Sequence, residues 1–234
     1  MSSPAWQYQE SGHPGADFDA LSESYDQRMQ KCRNVQGEIK EILDYIDPQQ
    51  DQAILEMGTG TGEFALAAAS RCHKVYAVDL SLGMLRYAEK KAQARGVVNV
   101  EFLPGGFLTY CHQGEPLAAA VSQLALHHLP DFWKQIALIR LADMLKPGGR
   151  LCLRDVVYSF SPADHQKFFE EFFSSESERT KGDHEFVGSI VSHVKNEYST
   201  MDWIMQGMME RAGFQTEKVK HSRGFFSLYL CRKL

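Results

Sequence analysis

Glu56-Met57-Gly58-Thr59-Gly60-Thr61-Gly62 places an acid and three alternating glycines directly after a short apolar run, Ala53 to Leu55, and just before a helical pattern, Phe64 to Ala69. Glycine is needed where a side chain would block the approach of a ligand to the backbone. A helix N-terminus behind such a turn adds outward-facing N–H groups. The spacing is Gly-x-Gly-x-Gly, whereas dinucleotide-binding turns read Gly-x-Gly-x-x-Gly. Glu56 at the strand end would repel a pyrophosphate and attract a cation. Further on, Asp79 closes the next apolar run, Val75-Tyr76-Ala77-Val78, about 20 residues after the turn, where an acid accepts from ribose hydroxyls. His127 and His128 follow the exit of a fourth apolar run. Imidazole titrates near neutral pH, so these two are the candidates for a general base.

A nucleoside that carries positive charge at its other end suits this set, and S-adenosylmethionine brings both a sulfonium and an ammonium. Ile54 to Gly62 and Ala77-Val78-Asp79-Leu80-Ser81-Leu82-Gly83-Met84-Leu85 resemble the first two motifs of class I S-adenosylmethionine-dependent methyltransferases. Leu126-His127-His128-Leu129 and Leu145-Lys146-Pro147-Gly148-Gly149 resemble that family's fourth strand exit and the turn before its fifth strand. The resemblance runs from Phe18 to Val157 and includes the C-terminal hairpin. It is nearest to the subgroup acting on small molecules, which includes the quinone-biosynthesis methyltransferases.

The resemblance implies that Gly58 and Gly60, in the loop that Gly62 completes, pass under the methionine part of the donor. It implies that Asp79 holds the ribose, that Leu80 and Met84 pack on the adenine, and that Gly106 and Phe107 meet the ring through backbone. Gln123 falls where the family contacts the methionine moiety, and Tyr25 resembles an N-terminal tyrosine that covers the donor. The chain departs from the family at two places. Pro104-Gly105-Gly106-Phe107 stands where the family has Gly-Asp, whose carboxylate accepts from the adenine amino group. Ala118-Ala119-Ala120 stands where the fourth strand usually starts with an aspartate.

Short β-branched runs alternate with helical spacing from Ala53 to Val157, the signature of repeated βαβ units and a parallel sheet covered on both faces. The expected strands are Ala53 to Leu55, Val75 to Val78, Val100 to Leu103, Leu117 to Ser122 and Arg150 to Val157. Helices are expected to begin near Val35, Glu63, Leu82 and Asp131. Pro147-Gly148-Gly149 should turn the chain into the fifth strand. Gly213 should close a helix, Asp202 to Ala212, for which Ser199 or Thr200 is the expected N-cap. Phe214 to Val219 and Phe225 to Cys231, joined by a short turn, should pair antiparallel. The fold expected is therefore α/β: a doubly wound, mostly parallel, seven-stranded sheet with one antiparallel strand near its C-terminal edge, the Rossmann-like methyltransferase fold. One domain over 1–234 is expected, with 1–34 covering the cofactor and 158–198 inserted as a helical cap. In that cap Phe168, Phe169, Phe172 and Phe173 share a helix face.

The 234 residues are 44% hydrophobic and 24% charged with a net charge of −5, a globular composition without the basic surface that nucleic acid requires. No apolar run reaches the roughly 20 residues of a membrane span, and the first residues lack a basic-then-apolar leader, so a cytoplasmic protein is expected. Cys32, Cys72, Cys111, Cys152 and Cys231 include no close pair and read as reduced thiols; no metal site is expected. The expected function is methyl transfer from S-adenosylmethionine to a small-molecule acceptor, with S-adenosylhomocysteine as product. The alternative is a non-catalytic module that binds S-adenosylmethionine. The acceptor, the methylated atom and the oligomeric state are not legible in the sequence.

Overall fold

The computed structural model describes residues 4–10 and 18–234, apart from the side chains of residues 23, 24, 28, 31 and 32. Of the 1–34 segment, residues 1–3 and 11–17 therefore lie outside the described residues. Helices α1 (Phe18–Cys32) and α2 (Val35–Ile46) lead into β1 (Ala53–Met57), α3 (Glu63–Ala68), β2 (Lys74–Asp79), α4 (Leu82–Ala94) and β3 (Val100–Pro104). Then come β4 (Leu117–Gln123), a 3-10 turn over Leu126–His128, α5 (Asp131–Met144) and β5 (Leu145–Tyr158). A second 3-10 turn (Pro162–Asp164) precedes α6 (His165–Arg179) and α7 (His184–Asn196). The chain finishes with β6 (Thr200–Met201), α8 (Asp202–Arg211), β7 (Phe214–Ser222) and β8 (Phe226–Lys233).

The sheet runs β3-β2-β1-β4-β5-β8-β7. Strands β1 to β5 are parallel, and β8 lies antiparallel between β5 and β7. This is the expected mostly parallel, seven-stranded sheet with one antiparallel strand near its C-terminal edge; the two residues of β6 add a short parallel pairing at the end of β5. Alternate residues serve opposite faces. Leu55, Met57, Ala120, Leu151 and Leu153 join a core with α5 and α8, and Ile54, Ala119, Val121 and Cys152 join one with α2 and α3. Helices cover both faces, which is why the strands read as near-continuous apolar runs. Cys72, Cys152 and Cys231 are buried free thiols, small apolar fillers in this packing.

Several boundaries differ from those expected by one to three residues, as where β7 runs on to Ser222 and β8 to Lys233, and two further differences have a visible cause. Strand β5 begins at Leu145 rather than Arg150, because Leu145 already pairs with Leu117; the register then shifts before Ala119 meets Arg150. Gly148 at φ +73° accommodates the irregularity. Helix α8 is capped by Met201 without a side-chain bond, not by Ser199 or Thr200. The Thr200 hydroxyl instead donates to Asp131 Oδ2 at 3.1 Å, and Ser199 Oγ lies 2.8 Å from His193 Nε2.

In α6 and α7 the aromatic face is a core of its own. Phe172 is buried with Val156 and Phe225, and Phe168, Phe169, Phe173, Ile190 and Val194 pack around them. Phe172 and Phe225 stack with centroids 4.5 Å apart.

Turn and helix are braced behind β1 by Glu56, which is 3% exposed. Its Oε2 accepts from the Thr59 hydroxyl at 2.6 Å and from the Ala65 N–H at 3.1 Å. Burial raises its pKa from 4.5 to about 8, against the pull of those two donors. The folded chain thus keeps a proton that the unfolded chain gives up. The stability this contributes is complete below about pH 4.5 and is lost as pH rises through about 8. Glu56→Gln keeps an acceptor without the ionisation, so its Tm should match the wild type near pH 5 and exceed it by a few degrees at pH 8.5, since about 1 kcal/mol moves Tm by about 2–4 °C at this size. A Tm difference that does not change with pH would show that Glu56 is charged throughout.

Candidate functional site

Strand order reverses between β1 and β4, and a parallel sheet opens a crevice at the carboxyl ends of its strands where that happens. Here the crevice is a cavity of about 520 Å³. Its floor is the turn after β1. Gly58 and Thr59 both donate their N–H to the carbonyl of Val78, at 2.8 and 3.0 Å, which draws the ends of β1 and β2 together. Gly58 and Gly60 have φ of +74° and +53°. A Cβ on Gly58 would come within 2.5 Å of the Ala125 Cβ, while one on Gly60 would meet no atom of the described residues within 4 Å. The first glycine therefore lets the β4 exit close in, and the second leaves open space.

Asp79 faces that space from the end of β2. Its Oδ2 accepts from Gly60 N–H at 2.7 Å and its Oδ1 from Ser81 N–H at 2.8 Å. Burial raises its pKa, offset in part by these amides. Each carboxylate oxygen retains a lone pair for one further donor. Leu80 and Met84 line the cavity beside it, with Gly106 and Phe107 after β3 and Gln123 at the end of β4. Leu124, the next residue, has φ +53°, so the backbone turns sharply at the cavity edge.

The wall opposite the sheet comes from the N-terminal residues. Phe18, Asp19 and Tyr25 of α1 line the cavity. Helix α1 is pinned to the start of α4 by Asp19 Oδ1, which accepts from the Ser81 hydroxyl and the Gly83 N–H, both at 2.6 Å. Residues 4–10 run beside the loop after β3: Gln7 Nε2 donates to the Leu108 carbonyl at 3.2 Å, and Glu10 Oε2 accepts from the Leu108 N–H at 3.0 Å. Glu10 is buried and lines the cavity. Burial raises its pKa against the pull of the Leu108 and Phe107 amides.

Of the residues selected from sequence, Tyr25, Gly58, Gly60, Asp79, Leu80, Met84, Gly106, Phe107, Gln123 and His128 meet around one cavity. Three do not. The Glu56 carboxylate is turned into the loop that it braces and borders a smaller neighbouring pocket. Gly62, at φ +76°, lies under α4, where a Cβ would stand 3.0 Å from the Ala88 Cβ. His127 is buried behind His128, with its Nδ1 on Asp155 Oδ1 and its backbone N–H donating to Asp155 Oδ2 at 3.0 Å. Its Nε2 lies 2.9 Å from Glu197 Oε2. Burial alone would lower the pKa of His127, but the Asp155 and Glu197 carboxylates outweigh it and raise it to about 9. An enclosed imidazole held this way is poorly placed to take a proton from a ligand in the cavity. Sequence reading missed Glu10, Asp19 and Phe18, because nothing local marks an N-terminal residue that acts on a distant loop, 64 positions on for Asp19 and 98 for Glu10.

The methyltransferase domain family matches residues 54–149 of the chain. An uncharacterised methyltransferase from Geobacillus kaustophilus is 28% identical over 201 residues, covering 84% of this chain and 86% of that one. One from Bacillus cereus is 25% identical over 201 residues, with 84% and 87% covered. Among solved structures, an S-adenosylmethionine-dependent methyltransferase from Aquifex aeolicus superposes with a TM-score of 0.62 at 16% identity, covering 97% of this chain and all of that one, a likeness of fold. Together with the sheet order and the glycine turn facing Asp79, these matches show a methyltransferase domain over residues 54–149 and make the chain similar to the class I S-adenosylmethionine-dependent methyltransferases, whose fold it shares.

Proposed function

We propose that the cavity holds S-adenosylmethionine and that the chain transfers its methyl group to a small-molecule acceptor. The observation that carries this reading is the enclosure of the glycine turn and Asp79 by α1 and residues 4–10, which leaves a space on the scale of a cofactor and a compact acceptor. Binding pockets for small molecules span about 300–1,000 Å³. When bound, S-adenosylmethionine supplies a methyl group already activated by its sulfonium. The protein's task is then to align the acceptor and exclude water.

Each part of the donor finds a fitting group. The free lone pairs of Asp79 suit two ribose hydroxyls, and Leu80, Met84 and Phe107 offer apolar surface to a purine ring. The amino group of adenine needs an acceptor, and Glu10 supplies a carboxylate where Gly106 supplies none. A Cβ built on Gly106 would lie 2.5 Å from Glu10 Oε1 and 2.7 Å from Glu10 Oε2. The Glu10 carboxylate thus fills the volume that an acid at position 106 would use. Gln123, Tyr25 and His128 line the remaining space, which we assign to the methionine part and the acceptor. Among the described residues no helix is long and apolar enough to cross a membrane.

Two measurements test the cofactor reading. Asp79→Ala should lower S-adenosylhomocysteine affinity more than tenfold in calorimetry. Glu10→Ala should lower it about tenfold to hundredfold, the ~1.5–3 kcal/mol of a hydrogen bond to a charged group. It should also lose the preference for S-adenosylhomocysteine over S-inosylhomocysteine, which has no amino group. Adding Gly106→Asp to Glu10→Ala should restore that preference. Unchanged discrimination in Glu10→Ala would remove Glu10 from the adenine site.

The acceptor reading is tested by following S-adenosylhomocysteine production with panels of small phenols, amines and thiols, and in parallel with protein and RNA fractions. Turnover with a small compound is expected; methyl label entering only macromolecules would overturn the small-molecule assignment.

A further inference from the structure

Behind His128, outside the cavity, three side chains from two distant parts of the chain converge. His127 comes from the turn after β4, and His193 and Glu197 come from the end of α7 and the residue after it. One ligand atom from each lies within 4.8 Å of the others. His127 Nε2 is 2.9 Å and His193 Nδ1 is 2.7 Å from the same oxygen, Glu197 Oε2. All three side chains are largely buried, with relative exposures of 6%, 13% and 13%.

The outer nitrogens of both rings are already engaged. His127 Nδ1 is held by Asp155 Oδ1, and His193 Nε2 lies 2.8 Å from Ser199 Oγ. Outer partners of this kind orient an imidazole and raise its basicity as a metal ligand. Asp155 is itself fixed by the N–H groups of His127 and Val156, at 3.0 and 2.8 Å. Glu197 Oε2 is buried and is shared by the two ring nitrogens, at 2.9 and 2.7 Å, without good hydrogen-bond geometry to either.

The geometry points to a divalent transition-metal site, of the zinc type, formed by His127 Nε2, His193 Nδ1 and Glu197 Oε2. Two imidazoles and one carboxylate are a ligand set of zinc centres that keep a position open. With bonds of about 2.0–2.1 Å a tetrahedral ion separates its ligands by about 3.3 Å, so the short nitrogen–oxygen approaches need only open slightly. The carboxylates of Asp155 and Glu197 bring two negative charges to the cluster, which a dication balances. Binding would displace the His127 proton, as ligation of imidazole does in general.

An ion here would tie the α6–α7 insert to the β4 exit. The tie completes one already present, because the Tyr198 N–H donates to the His127 carbonyl at 3.0 Å. Lys134, 1% exposed, donates to Asp131 Oδ1 at 2.8 Å and also to the Tyr198 carbonyl. His128, which lines the cavity, has its Nδ1 3.5 Å from Glu197 Oε2. The metal would therefore set the position of a cavity wall without entering the cofactor space.

The test is titration of the metal-stripped full chain with Co2+, read by its visible d–d absorption, and with Zn2+ in competition and in thermal unfolding. One equivalent should bind, Zn2+ should displace Co2+, and Zn2+ should raise Tm and slow proteolysis of residues 158–198. His193→Ala and Glu197→Gln should each weaken binding by more than about a hundredfold, beyond the loss caused by removing an outer partner. Both should keep S-adenosylhomocysteine affinity, which shows that they fold and separates this result from failure of the cofactor reading. Absence of a stoichiometric Co2+ spectrum, or binding that survives both substitutions, would overturn the site.

Discussion

The Asp79 carboxylate, held between the Gly60 and Ser81 N–H groups, joins two loops that belong to different βα units. Together with the Val78 carbonyl, which takes the amides of Gly58 and Thr59, it makes the ends of β1 and β2 one rigid edge. The cavity, the docking of α1 and the position of the β4 exit are all measured from that edge. Gly58 approaches Ala125 so closely that no side chain fits between them, and Ser81 and Gly83 hold Asp19 and with it α1. Its rigidity comes from a partly desolvated acid whose donors are backbone groups, which have no rotamer freedom to lose.

A second carboxylate extends the site from outside the repeating units. Strand β3 runs into Gly105-Gly106, which carry backbone and no charge. The N-terminal residues fill that gap by laying Glu10 across Gly106 and fastening it to the Leu108 amide. The same segment leans Trp6 on Trp133 and Tyr8 towards the His128 carbonyl. Cavity wall and acidic contact therefore arrive as one unit, and what shapes the pocket also supplies its charge.

On the far side of the β4 exit, charge is organised differently. Asp155, His127, Glu197 and His193 form a continuous buried chain from β5 to α7. The aromatic stack of α6 on Phe225 shields it. Two acids and two imidazoles enclosed in this way stabilise one another only as a complete set, since removing one leaves a buried charge without its partner. Helices α6 and α7 are thus anchored by an apolar face and by a polar network at the end of α7.

The strands of the mostly parallel sheet and the glycine turn facing Asp79 were legible in the sequence, because they rest on local rules. Period-2 burial, the positive φ of Gly58 and Gly60, and an acid at a strand end leave their mark within a few residues. The Phe168–Phe173 face was legible as helical for the same reason, and its role as core followed only when Val156 and Phe225 came to meet it. What tertiary structure alone decided is which way the side chains point and what they meet across long separations. Glu56 was read as facing a cation, yet its carboxylate turns inward to Thr59 and Ala65, because a strand-end residue can face either the ligand or the loop and sequence does not record which. His127 and His128 look equivalent as neighbours. Adjacent residues diverge in direction, so one reaches the cavity and the other a buried carboxylate 28 positions away. Glu10 beside Gly106 and Glu197 beside His127 are juxtapositions made by folding, between segments whose local sequences carry no sign of one another.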